Sequence, residues 1–593
     1  MRPLVRLVPA LALVTGLLCT AAPAQADQTA AAKQPEAIGR GGAVTSVDAD
    51  ATAAGLEVLR RGGNAVDAAV ATAAALGVTE PYSAGIGGGG YFVYYDARTG
   101  KVTTLDGRET ASRTADTSLF LENGQPLAFN DAVTSGLSVG VPGTAATWEQ
   151  ALRRWGTRDL AEVLKPAERI ADRGFTVDQT FQDQTALNQD RFKDFPATRA
   201  LFLPGGKLPA VGSTLRNPDL AATYRELGRG GTAALYRGPI GADIVRTLQH
   251  PPVDPASGRN ARPGKVDAAD LAAYQVRQQD PTHVNYRGLD VYGIAPSSSG
   301  GTTVGEALNI LGTSNPADPV QYDHRFLEAS RIAFADRNRW VGDPGFVQVP
   351  TRQLLDPAYA KSRACLIDPK HALTSPLAPG DPYHPAACAG SGQPVAEPYE
   401  GQSTTHLTVA DRWGNVVAYT LTIEQTGGSG ITVPGRGFLL NNELTDFNFT
   451  PLTPGVPDPN LPGPAKRPRS SISPTIVLKG GKPFLAVGSP GGATIITTVL
   501  QVLTGRIDRG LTLEQAIAAP RASQRNTAAT QAEPAFLASP EAAKLQAMGH
   551  VFSATPEIGA ATGIERLPDG RWLAAAEPVR RGGGSAAVVH PSR

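Results

Sequence analysis

The tetrapeptide Ser403-Thr404-Thr405-His406 follows a Pro/Gly-rich segment and opens a pattern of strand residues. Two runs, 404–410 and 416–422, flank a turn in which Arg412, Trp413 and Gly414 form a three-residue hairpin loop, with Gly414 in the left-handed position. Counting outward from an Asp411–Asn415 pair sets Thr404 opposite Thr422. Directly opposed residues on one face have Cβ atoms about 5 Å apart, close enough for one hydroxyl to hydrogen-bond the other. By itself such a pair is an ordinary cross-strand contact.

The residues around the hairpin carry charge and backbone donors. Glu424 follows Thr422 by two positions, Asn441-Asn442-Glu443-Leu444-Thr445-Asp446 ends the next expected strand, and Arg467-Pro468-Arg469-Ser470-Ser471 closes a Pro-dense loop. A strand at 484–489 then runs through Pro490-Gly491-Gly492 straight into a helix. Strand, glycine turn and helix N-terminus together present free N–H groups, which suit an oxyanion, a phosphate or a plain structural turn.

Other motifs point away from familiar chemistries. The run Gly85 to Gly90 fits a GxGxxG pattern, but it opens a strand rather than a helix, which argues against a dinucleotide site. Close packing of backbone explains it better. The eight histidines show no His-Glu-x-x-His spacing and no close cluster with carboxylates, so no metal centre is expected. Ser297-Ser298-Ser299-Gly300-Gly301 lacks the Gly-x-Ser-x-Gly spacing of a nucleophile elbow and reads as a turn.

The elements that must position these groups change character along the chain. Residues 27–40 read as a loose leader. A short strand at 44–47 precedes helices at 51–61 and from Asn64, which caps the second with Asp67 in its first turn. A hairpin at 91–96 and 101–106 follows. The stretch 140–340 reads as mostly helical, with amphipathic runs at 145–154, 160–172 and 324–336, and 367–400 reads as a surface connector. After Thr404, strands are expected at 404–410, 416–422, 437–440, 475–478 and 484–487, then helices at 494–503 and 513–518.

At 593 residues the chain is long enough for two domains or one large layered one. Lys plus Arg (55) nearly balances Asp plus Glu (54), and no basic run appears, so neither nucleic acid nor an anionic membrane is indicated as a partner. Residues 1–26 have the three parts of a secretory signal: Arg2 and Arg6, an apolar run over 7–19, and Ala24-Gln25-Ala26 as the cleavage site. The apolar run is short of the roughly 20 residues of a spanning helix, which disfavours an anchor. The mature chain is expected outside the cytoplasm, starting near Asp27. Cys365 and Cys388 then remain and read as one disulfide rather than free thiols.

Together these residues resemble the γ-glutamyltransferase (γ-glutamyl transpeptidase) family of N-terminal-nucleophile hydrolases. The likeness spans nearly all of the chain after the signal and includes VLRRGGNAVDAAVATAAALGVTEPYSAGIGGGGYF, LDGRET, TTHLTVAD, NNELTDF, RPRSSISPTI and GSPGGATIITTVLQ, in the family's order. The resemblance implies an α+β fold, a four-layer α-β-β-α sandwich. It implies self-cleavage between Ser403 and Thr404 into a large subunit (27–403) and a small one (404–593) that stay together as a heterodimer. Thr404 would be the nucleophile, its new α-amino group the base, Thr422 the orienting hydroxyl, and Gly491 and Gly492 the oxyanion hole.

By the same likeness Arg108, Ser470 and Ser471 hold a glutamyl α-carboxylate, while Asp446, Glu424 and Glu443 face its α-ammonium. The expected partners are a γ-glutamyl donor such as glutathione and an acceptor, water or an amine; no cofactor is implied. Two departures stand out. Many members carry Asn and Gln where this chain has Glu424 and Glu443, so mutual repulsion is expected to protonate one acid of the trio. The loop from Asp446 to Ser470 has no Tyr or Trp, whereas some relatives cover the donor with an aromatic lid. Rival expectations are an acylase for glutaryl-cephalosporins or poly-γ-glutamate on the same scaffold, and a secreted amino-acid-binding protein without catalysis.

Overall fold

The computed structural model describes residues 33–386, 388–395, 401 and 403–592, so the expected signal segment lies outside the described residues. Thirteen strands form one hydrogen-bonded sheet, twelve of them along a single path: β1 (Glu36–Ser46), β2 (Gly89–Asp96), β3 (Lys101–Gly107), β4 (Arg277–Gln279), β5 (Thr282–Tyr286), β6 (Leu289–Gly293), β7 (Thr405–Asp411), β8 (Val416–Thr422), β9 (Thr475–Lys479), β10 (Lys482–Gly488), β11 (Thr562–Arg566), β12 (Trp572–Ala576) and, off the path, β13 (Ser585–Pro591). Their order is β4-β3-β2-β8-β7-β1-β12-β11-β10-β9-β6-β5, with β13 also on β1.

Strand β1 joins two halves of this path. Its residues 36–39 pair with 572–575 of β12, whereas residues 42–45 pair with 408–411 of β7. Between the two stretches the register with β13 shifts, at Gly41 (φ +86°) and Gly42 (φ +128°). Glycine takes such angles without a Cβ penalty, and the resulting bulge redirects the strand.

The halves then meet face to face, with β7 and β8 packed on β10 and β11. At that contact the His406 ring lies on Gly488, where a Cβ would sit only 2.3 Å from the ring. His406 bonds Thr420 Oγ1 (2.7 Å) and Thr408 Oγ1 (3.0 Å), and burial pulls its pKa down to about 3, so the ring is neutral packing.

Alternation along the strands explains the two cores. Odd-numbered Leu407, Val409, Val417, Tyr419 and Leu421 join the core built with helices α1 (Ala49–Arg60), α2 (Ala65–Thr79), α3 (Thr144–Trp155), α4 (Leu160–Arg173) and α5 (Pro218–Gly230). Even-numbered Ala410, Val416 and Ala418 join a second core, with β9 to β12 and helices α6 (Gly300–Gly312), α7 (Pro319–Trp340), α8 (Thr494–Ile507) and α9 (Leu513–Ala518). Both strands are buried throughout. Residues 404 and 422, being even, belong to the face between the halves.

Local chemistry fixes the ends of these elements. The Asn64 side chain accepts from the N–H groups of Val66 and Asp67, and Asp67 accepts from Asn64 N–H, a capping box at the start of α2. Asp411 accepts from Trp413 and Asn415 within its hairpin and from Ala65 N–H (3.0 Å), tying the β7–β8 turn to that same helix.

Several expectations need correction. Among the described residues the first strand starts at Glu36 rather than after Gly41, because β12 and β13, from the far end of the chain, complete β1. The strand expected at 437–440 is an isolated Thr432–Leu439 bridge. The stretch 140–340 also contains β4 to β6, which form both outer edges of the path. The expected disulfide, by contrast, is present: Cys365 and Cys388 are joined, Cα atoms 5.1 Å apart. Among the described residues, no helix is long and apolar enough to cross a membrane.

Candidate active site

The β7–β8 register continues the expected count: Thr405 pairs with Leu421 and Ala410 with Val416, so Thr404 reaches Thr422. Gly414 has φ +92°, and Asp411 N–H donates to Asn415 O at 3.1 Å. The Thr404 and Thr422 hydroxyl oxygens are 3.4 Å apart. Thr422 Oγ1 donates to the Ser403 carbonyl (3.1 Å) and accepts from Glu424 N–H (2.8 Å). Thr404 Oγ1 also contacts that carbonyl. The hydroxyl of a β-branched residue thus sits against the peptide carbonyl before it, with a second hydroxyl polarising that carbonyl.

One cavity gathers every expected active-site residue except Gly491, the neighbour of Gly492 on its wall. The strand-to-helix turn has the expected form: β10 ends at Gly488 and α8 starts at Thr494, with Gly491 at φ +133° and Gly492 at φ +57°. Among the described residues neither glycine N–H has a hydrogen-bond acceptor, while their carbonyls accept from Thr494 and Ile495. The turn therefore offers donors beside Thr404 that the fold leaves unused.

At the other end, Arg108 is buried and forms ion pairs with Glu443 and Asp446. Its guanidinium also donates to the carbonyls of Pro468 (3.3 Å) and Arg469 (3.1 Å), which fixes the fork beside Ser470 and Ser471. Asn442 donates to Glu424, whose other oxygen accepts from Gly401 N–H at 2.8 Å.

The electrostatics of this end are set by crowding. Burial, opposed by Arg108 and reinforced by Asp446, pushes Glu443 up to about 7. Burial and then Asp446 and Glu443 push Glu424 well above the usual carboxylate range. Glu109 is raised in the same way, by burial and then Glu443. The upward shift expected within the acid trio thus extends to a fourth carboxyl, Glu109, which sequence reasoning missed although it adjoins Arg108.

Other contributors were also illegible. Arg337 of α7 donates to Ser471 Oγ (2.7 Å) and Ser299 Oγ (2.8 Å). Ser299 N–H and Oγ both donate to the Ser470 carbonyl, so the serine-rich turn is a cradle for the Ser470–Ser471 segment. Arg581 donates to the Thr404 carbonyl (2.7 Å) and to Ser83 Oγ (3.1 Å), and Ser83 bonds Ser403 Oγ (2.8 Å). No local motif marks these residues; each lies far along the chain from its partner.

The loop between Asp446 and Ser470 folds on itself. Lys466 donates to the carbonyls of Pro459 and Leu461, Asn448 to Asp458, and Phe449 stacks on Phe120 at 4.3 Å. The expected absence of a histidine–carboxylate cluster does not hold: His324, Glu328 and His550 converge away from this site, because α7 meets the segment after residue 547 only in the fold.

A strand-borne threonine between two sheet halves, with backbone donors and a guanidinium–carboxylate clamp around it, defines an N-terminal-nucleophile hydrolase. The gamma-glutamyltranspeptidase family model matches residues 51–587, and the chain belongs to that family of enzymes. It is similar to the glutathione hydrolase proenzyme of Bacillus subtilis (strain 168), 39% identical over 534 residues, 88% of this chain and 87% of that one. The glutathione hydrolase proenzyme of Escherichia coli (strain K12) is 38% identical over 552 residues, 91% and 90% of the two chains. Among solved structures, a cephalosporin acylase from Bacillus halodurans superposes with a TM-score of 0.81 at 29% identity, covering 95% of this chain and 98% of that one.

Proposed function

We propose that the chain is an exported, self-processing γ-glutamyltransferase and hydrolase acting on γ-glutamyl amides such as glutathione. The observation that carries this reading is the Thr404–Thr422–Ser403 cluster opening into the same cavity as Arg108 and its acids. Thr404 Oγ attacks the Ser403 carbonyl carbon, the C–N bond breaks, and the nitrogen leaves as the Thr404 amine. Water then hydrolyses the ester and frees the large fragment. Thr422 stabilises the oxyanion of this step.

The freed α-amine, with an ordinary pKa of about 8, is basic enough to take the hydroxyl proton near neutrality. Thr404 then attacks the γ-carbonyl of the donor, the Gly491 and Gly492 N–H groups hold the oxyanion, and the leaving amine departs protonated. Water or an amino-acid or peptide amine resolves the γ-glutamyl ester. Arg108, Ser470 and Ser471 bind the α-carboxylate, and Asp446, Glu424 and Glu443 the α-ammonium. The Pro-rich loop, without Tyr or Trp, leaves the donor more open to water.

The same reading takes the two sheet halves and their flanking helices as four layers, α-β-β-α. Pairing of β7 with β1 and of β8 with β2 supports a large subunit (27–403) and a small one (404–593) that stay associated. Export rests on the signal-like residues 1–26.

The acylase likeness favours a second reading, glutaryl-amide cleavage. A glutaryl group has no α-ammonium, so the acid-lined end of the cavity would bring it no ion pair. Intact mass of the purified protein is expected to show two fragments meeting at 403/404, with faster release from a γ-glutamyl anilide than from a glutaryl anilide. A single uncut chain that still hydrolyses the γ-glutamyl anilide would overturn the mechanism, and faster glutaryl turnover would overturn the substrate.

A further inference from the structure

His324 and Glu328 lie four residues apart on α7 and so share one face. His550, just beyond α10 (Pro540–Ala547), packs against them. All three are buried, and one ligand atom from each lies within 4.8 Å of the other two. His324 Nε2 is 2.7 Å from the Asp368 carbonyl oxygen, which only accepts, so the proton of His324 sits on Nε2. Its Nδ1 lone pair therefore points at His550 Nε2, 2.8 Å away.

The donor count then fails to close. If His550 Nε2 supplies the proton for that contact, its Nδ1 carries a lone pair. That atom has no hydrogen-bond partner among the described residues and faces Glu328 Oε1 at 3.7 Å. An imidazole lone pair and a carboxylate face each other in the buried interior, where an unpaired acceptor is costly. Arg331 lies along the same carboxylate, Nη2 at 3.3 Å from Oε1 and Nε at 3.2 Å from Oε2, but does not reach the imidazole pair. An ion held by His324 Nδ1, His550 Nε2 and Glu328 would shift the His550 proton to Nδ1, where it faces Glu328 Oε1, and every acceptor would then be satisfied.

We propose that His324, Glu328 and His550 bind a divalent transition-metal ion of the zinc class. Two imidazoles and one carboxylate are a donor set that suits zinc. The Asp368 carbonyl on His324 Nε2 supplies the outer hydrogen bond that orients a metal-bound imidazole. Arg331 is displaced from Oε1 on binding and retained by Oε2. The site is structural: it fastens α7 and the connector at Asp368 to the segment at His550. If the chain is cut at 403/404, as the proposed function holds, two ligands belong to the large fragment and one to the small, and the metal staples the subunits together.

The full-length protein, stripped with a chelator and titrated with Zn²⁺ in a calorimeter, is expected to take up one equivalent, with Co²⁺ giving the visible absorption of a nitrogen- and oxygen-ligated ion. His550→Ala and Glu328→Gln should weaken uptake at least about tenfold. Both should retain turnover of a γ-glutamyl anilide, which verifies their folding. Zn²⁺ should raise the thermal midpoint of the stripped wild type and leave that of His550→Ala unmoved. No uptake by the wild type, or equal uptake by both variants, would overturn the site. Uptake by a chain that never cuts itself would leave the site standing and remove only the staple, which separates this inference from the proposed function.

Discussion

Gly401 N–H donates to Glu424 Oε1 at 2.8 Å, so in the continuous chain the backbone just before Thr404 occupies one of the acids that the proposed function assigns to the donor's ammonium. The precursor is therefore expected to be a poor binder as well as a poor catalyst. Thr404→Ala, which stays uncut, should bind L-glutamate at least about tenfold more weakly than the cut wild type, the scale of one charge-assisted hydrogen bond. Calorimetry on both proteins decides it, and equal affinities would refute the occupancy.

In the proposed mechanism Thr422 touches both reactions, because its hydroxyl faces Thr404 Oγ1 and donates to the Ser403 carbonyl. Thr422→Ala should slow self-cleavage and turnover by about 10- to 100-fold each, as loss of one hydrogen bond to a developing charge implies. Gel-resolved processing rates and anilide kinetics supply the two numbers; an effect on only one of them would assign Thr422 to that step alone.

Gly491 separates the two steps. A Cβ there would lie 2.5 Å from Thr494 Oγ1, and φ +133° is strained for any other residue. In the proposed mechanism the precursor's oxyanion is served by Thr422, whereas the donor's is served by the glycine turn. Gly491→Ala should therefore still cut itself but lose about 10²- to 10³-fold in kcat. A variant that turns over normally would remove the turn from the mechanism.

The crowding of carboxyls predicts a pH effect of definite sign. Glu443 has its folded pKa raised from 4.5 to about 7, so the stability it contributes is present below about pH 4.5 and is lost as pH rises through about 7. An ammonium needs the ionised form, so KM for a γ-glutamyl anilide should fall as pH rises through the same window. Glu443→Gln should flatten both profiles; midpoints and KM values that keep the wild-type slope would show that another acid of the group titrates instead.

Arg337 holds Ser471 without lying in the motif that contains it. Arg337→Lys keeps the charge but loses the fork that spans Ser299 and Ser471, and should raise KM about tenfold with a smaller change in kcat. Equal losses in kcat and kcat/KM would instead place its effect in the transition state.

Which of these features the sequence revealed follows from how local their causes are. A three-residue loop with Gly414 in its left-handed position sets the register of the hairpin it closes, and that register alone makes Thr404 and Thr422 neighbours. Asn64 and Asp67 mark a helix start for the same reason: donor and acceptor are three residues apart. The Gly491–Gly492 turn is likewise legible as strand, glycine pair and helix in succession.

Only the tertiary structure decided what surrounds them. Strand β1 becomes complete when β12 and β13 arrive from the far end of the chain, and Glu36–Arg40 has no pattern of its own to announce it. Arg337 reaches Ser471, Arg581 reaches Thr404, and His324 reaches His550 across separations of 134, 177 and 226 residues. Short-range geometry and side-chain periodicity are written in neighbouring residues. Burial and long-range polar contact come from the closing of the sheet halves on each other, and it is these that turn a threonine pair into a candidate nucleophile and bring four carboxyls together around Arg108.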